Sequence, residues 1–158
     1  MDDAFKVFIE QLRDGEEKRV DEEFDPSFLD LDEEDLAFEK PVLLEGHFYI
    51  AEKELVINWN IEALAKIPCA ICNEAVEVPV LVRNFYHCEP LANIKSGVYN
   101  FKDLLRETIL LEVPKFAECN RGSCPHRSEV AQFLKKPLSE TESDEEGGYH
   151  PFVDIDWK

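Results

Sequence analysis

Basic residues are scarce in this chain: 17 Lys and Arg stand against 35 Asp and Glu, a formal charge of −18 over 158 residues. A field of that sign repels phosphate, which argues against a broad nucleic-acid-binding surface and against attraction to anionic membranes. No apolar run approaches the roughly 18 residues of a spanning helix. The opening MDDAFKVFIEQLRDG has no basic region and no small-residue cleavage site, so no secretory signal is expected and a cytoplasmic location is. GxSxG, a Walker loop, GxGxxG and HExxH are all missing, and with them the common signatures of hydrolases, nucleotide binders and zinc proteases. There is no internal repeat. Acid is abundant, yet no carboxylate pair is singled out as an acid/base couple.

What is present suffices for a folded body. Hydrophobic residues make up 44% and aromatics 11%, more than a disordered acidic chain carries. The charge is unevenly laid out: −11 over 1–40, −3 over 41–98, +2 over 99–136 and −6 over 137–158. In the acidic front, Phe24, Phe28, Leu29, Leu31, Leu36 and Phe38 punctuate the acid, which predicts short ordered pieces pinned to a core. Residues 42–50 are apolar on both parities and read as a central strand. Residues 55–61 alternate, with Leu55, Ile57, Trp59 and Ile61 on one face. Glu52-Lys53 between them is a weak hairpin signal. A third strand over 74–87 carries Val76, Val78, Val80 and Val82 on one parity, and Pro79 within it predicts an edge or a bulge. Asn100 is placed to cap a helix with Phe101, Leu104, Leu105 and Ile109 at helical spacing, stopped by Pro114.

The expected fold is α+β: an antiparallel sheet or partly closed barrel with one principal helix, clipped by a structural zinc site. Residues 1–136 form a single domain in this reading. An acidic flexible linker, 137–150, follows, and then a terminal segment, 151–158, able to dock as a strand.

Four of the five cysteines fall in two motifs. Cys69 and Cys72 form Cys-x-x-Cys at the turn between the second and third strands; Cys119 and Cys124 follow the helix. Zinc takes four soft donors in a tetrahedron at about 2.3 Å, and a tight Cys-x-x-Cys turn supplies two of them. Four protein donors leave no open position, which is the logic of a structural site. A redox role for Cys69 and Cys72 is the alternative, as are thiols without metal, but redox motifs open a helix whereas CNEAVEVPV continues as strand. Cys88 is expected to be a small buried residue, and His126 ranks below Cys119 as a ligand. A thiol oxidoreductase or zinc-dependent enzyme using Cys69/Cys72 remains the second functional reading.

The order of these features resembles the YceD family, named for accumulation of the large ribosomal subunit RNA. The stretches that carry the resemblance are CAICNEAVEVPVLV (69–82), DLLRETILLEVP (103–114), AECNRGSC (117–124) and HPF (150–152). Val113 stands where the family has Leu before the proline, and HPFVDIDWK replaces a basic apolar tail. The resemblance implies metal binding at Cys69, Cys72, Cys119 and Cys124, a role in large-subunit RNA accumulation, and nucleic-acid binding as an open alternative; the closed ligand set and the missing catalytic motifs add that the role is non-enzymatic. For direct RNA contact only Lys102, Arg106, Lys115, Arg121, Arg127, Lys135 and Lys136 offer a cluster of bases. An acidic protein suits a basic ribosomal protein or pre-ribosomal particle better, with ribosomal RNA second, and neither a membrane nor a small-molecule substrate is expected.

Overall fold

The computed structural model describes residues 2–133, and the structural statements below concern these. Lys135 and Lys136, the expected linker and the terminal segment lie outside them. In chain order the strands are β1 (Lys6–Phe8), β2 (Lys18–Phe24), β3 (Ala37–Phe38), β4 (Val42–Ala51), β5 (Glu54–Pro68), β6 (Ala75–Pro90) and β7 (Val98–Asn100). Helix α1 (Lys102–Glu112) follows β7. The protein is α+β, with an antiparallel sheet and few helices.

In the main sheet β2, β4, β5 and β6 lie side by side, all antiparallel, and β3 pairs with the far end of β5 on the same side as β4. The hairpin between β4 and β5 turns on Glu52-Lys53, with Glu52 held at φ 57°, a backbone conformation that usually goes to glycine or asparagine. The turn falls where the sequence carries its weak hairpin signal. A second, two-stranded ribbon joins β1 to β7.

Strand β5 runs well past the expected 55–61. Residues 62–66 read EALAK, good helix formers, but the core decides. Ala63, Ala65 and Ile67 keep the buried phase set by Leu55, Ile57, Trp59 and Ile61, and the next residue in phase is Cys69. β6 is an edge strand, which is what Pro79 requires, since it cannot donate to a further neighbour. The bulge lies elsewhere: pairing passes from Trp59↔Phe85 to Ile61↔Val82, leaving Arg83 and Asn84 opposite Asn60. Asn84, at φ 54°, donates its amide to Asn60 Oδ1 at 2.8 Å. The bulge switches the inward parity of β6, so Phe85 follows Val82 into contact with the core and stacks on Trp59 at 5.3 Å.

One core joins the inner face of this sheet to α1 and to the N-terminal segment. Phe101, at the start of α1, meets Phe5, Phe24, Phe48 and Trp59, with ring centroids 5.2–6.4 Å apart. Gly46 permits that packing, because a Cβ there would lie 2.5 Å from Trp59 Cβ. The acidic front is ordered as expected: Phe24, Phe28 and Leu29 are buried, and Leu31, Leu36 and Phe38 pack against them. The helix begins one residue later than the sequence suggests: Phe101 takes the N-cap position without a side-chain cap, while Asn100 Oδ1, just before it, accepts the Lys102 amide at 3.0 Å, and Pro114 follows the last turn.

Candidate metal centre

The end of β5 and the segment after α1 converge at the cysteines. Cys69 continues the core-facing phase of β5 and is 2% exposed. After it the chain reverses: the Cys69 amide donates to Glu74 O at 2.7 Å, the Asn73 amide donates to Cys69 O at 3.0 Å, and Asn73 takes φ 63°. Cys72 rides on this turn. The partner segment is tied to it by backbone, for Cys69 pairs with Ala117 in a parallel bridge and the Ala70 amide donates to Ala117 O at 2.7 Å. Cys119 then falls beside the turn. A left-handed turn through Asn120 and Arg121 (φ 53° and 56°) and Gly122 (φ 87°) brings Cys124 back to it.

The Sγ atoms of Cys69, Cys72, Cys119 and Cys124 all lie within 4.8 Å of one another. Cys72 and Cys119 approach to 3.7 Å, against about 3.8 Å for the edge of a tetrahedron with 2.3 Å bonds. The four thiols can hold a metal ion, and their softness and closeness suit one. Amides already point at the sulfur: Ile71 N–H donates to Cys69 Sγ at 3.4 Å and Cys119 N–H at 3.3 Å. Burial pushes the Cys69 thiol up, but the amides of Cys72, Cys119 and Ile71 outweigh it and bring it down to about 6. At Cys72 the Glu74 amide lowers the pKa, yet burial and the neighbouring thiols leave it raised. Cys119 is held up by Cys124 first and then by burial.

No pattern in the sequence marks the residue that closes the second loop. Glu118 Oε1 accepts the Cys124 amide at 2.9 Å and Arg127 Nε at 3.0 Å, and Oε2 accepts Arg127 Nη2 at 3.2 Å. Arg127 holds the Glu118 carboxyl below the usual carboxylate range. A two-pronged Arg–carboxylate pair fixes both planes, so the loop from Cys119 to Cys124 keeps its shape. Groups one step outside the ligands commonly govern metal affinity by about 10–100-fold. Glu118→Ala is therefore expected to weaken metal binding within that range in a chelator competition, with Glu118→Gln in between because it keeps one acceptor. Unchanged affinity in Glu118→Ala would remove this role.

The other cysteine and the histidine candidate stand apart. Cys88, only half-buried where a buried residue is expected, lies on β6 opposite Val56, roughly 40 Å along the sheet from Cys69. His126 is exposed, with Nδ1 3.4 Å from Glu129 Oε2, and is not one of the clustered groups.

Among the described residues, the bases after position 99 have different surroundings. Arg106 donates Nε to Leu29 O at 2.6 Å, fastening α1 to the acidic front, and Arg127 is bound to Glu118. Lys102 lies over the Phe5 ring at 5.9 Å. Lys115 and Arg121 are exposed on separate loops.

No helix among the described residues is long and apolar enough to cross a membrane. No family model matches the chain, and no curated protein or solved structure matches it significantly. The geometry of the four thiols therefore carries the functional argument.

Proposed function

We propose that the chain is a non-enzymatic zinc-binding factor in ribosome biogenesis, supporting accumulation of large-subunit ribosomal RNA through a basic ribosomal protein or pre-ribosomal particle. The observation that carries this reading is the closed set of four cysteine sulfurs within 4.8 Å, joining the end of β5 to the segment after α1. Four thiolates in a tetrahedron favour zinc among the common divalent ions. Such a set has no open position at which a substrate or water could bind, so the metal staples and does not react. Cys69, the most acidic thiol, is 2% exposed and out of reach of a substrate disulfide, which disfavours the oxidoreductase reading.

The ribosomal part of the proposal rests on the resemblance of motif order to the YceD family. The charge of −18 favours a basic protein as the direct partner, and the internal engagement of Arg106 and Arg127 weakens the case for RNA. Depletion of the protein in its own cells, read by ribosome sedimentation profiles, tests this part. A selective loss of large subunits and their RNA is the expected result. Unchanged profiles after depletion would overturn it.

A further inference from the structure

At the end of the sheet away from the cysteines a cavity of about 600 Å³ opens between the segment Ile9–Gly15 and the turn Leu91–Gly97. Its floor is apolar: Ile9 and Leu12 are buried, and Ile50, Leu91 and Ile94 pack against the core. The two rims are held in place by backbone. Ile9 N–H donates to Gly97 O at 2.9 Å, Leu91 N–H to Lys53 O at 2.9 Å, and Ile94 N–H to Leu91 O at 3.0 Å. Each rim carries one exposed cation, Arg13 on the first and Lys95 on the second, and Asp14 is the single acid among the lining residues. Neither cation makes an ion pair or side-chain hydrogen bond among the described residues. That is notable where acids outnumber bases 35 to 17.

We infer that this cavity is a binding site for an amphipathic carboxylate, a small molecule with one anionic head and an unbranched or flat apolar body. Its size falls in the range of about 300–1,000 Å³ usual for small-ligand sites, and its lining is divided between an apolar floor and polar rims that carry Arg13, Asp14 and Lys95. The apolar body covers Ile50, Leu91 and Ile94, which are only half-buried, and the head meets the exposed Arg13 and Lys95. A polyanion is repelled by the rest of the surface, and a neutral hydrocarbon makes no use of the two cations. The inference is independent of the metal and of any ribosomal role.

Octanoate is the probe, titrated into the metal-loaded full chain labelled with nitrogen-15, with octan-1-ol as the uncharged control. Octanoate is expected to shift the amides of Ile9–Gly15 and Leu91–Gly97 in a saturable way and to bind at least tenfold more tightly than octan-1-ol. The double substitution Arg13→Gln/Lys95→Gln, at exposed positions, is expected to erase that difference while leaving the remaining amide spectrum in place. No saturable shift with octanoate would overturn the proposal. So would equal binding of the alcohol and the acid, or shifts centred elsewhere on the protein.

Discussion

Cys69→Ser and Cys124→Ser are expected to lose the bound metal, while Cys88→Ser keeps a full equivalent. The first two remove a sulfur from a set whose members lie within 4.8 Å; the third removes one at the opposite end of β6. Structural zinc sites contribute apparent binding energies of about 10–16 kcal/mol in isolated fingers, and this energy is lost with the ion. The effect here is expected to stay local, because the apolar core of the sheet and α1 is built from residues other than the four cysteines. Chelation is therefore expected to speed hydrogen exchange at Ala70, Asn73 and Cys124 by several orders of magnitude and to leave the amides of Ile57 and Leu105 protected. Metal binding should also strengthen with rising pH. The Cys72 and Cys119 thiols are raised, so protons must leave them when the ion binds, and higher pH removes that competition. Equal metal in all three variants, measured by elemental analysis, would break the ligand assignment.

Phe101→Ala is expected to cost about 3–5 kcal/mol of stability, the usual range for truncating a buried aromatic. Its ring is 1% exposed and touches Phe5, Phe24, Phe48 and Trp59, so the void opens where sheet, helix and N-terminal segment meet. No small shift can fill it from all sides. Denaturant unfolding should show a lowered midpoint with an unchanged slope. A loss under 1 kcal/mol would mean that the acidic front and α1 are not one cooperative unit with the sheet.

The sequence revealed those parts of the fold whose periodicity was uninterrupted. Leu55, Ile57, Trp59 and Ile61 declare their strand, and Pro114 marks the end of α1, whose N-cap is Phe101 and not the expected Asn100. It concealed the rest of β5, because EALAK has the local preference of a helix and only the sheet around it favours the strand. The bulge at Arg83–Asn84 left no mark in the valine alternation that precedes it. At the metal centre, residue type and spacing named the four cysteines. They could not name Glu118, since a carboxylate beside a cysteine resembles any other acid in a chain with 35 of them. Arg127, by sequence a candidate for RNA or partner contact, is bound by the Glu118 carboxylate through two hydrogen bonds that no local pattern announces.

The central claim is that four cysteine sulfurs close around one zinc ion. X-ray absorption at the zinc edge, on the full chain purified without added metal, tests it most directly. The account predicts one zinc per chain with a first shell of four sulfurs at about 2.3 Å. A first shell containing nitrogen or oxygen, or protein that purifies without a metal and takes up none, would contradict it.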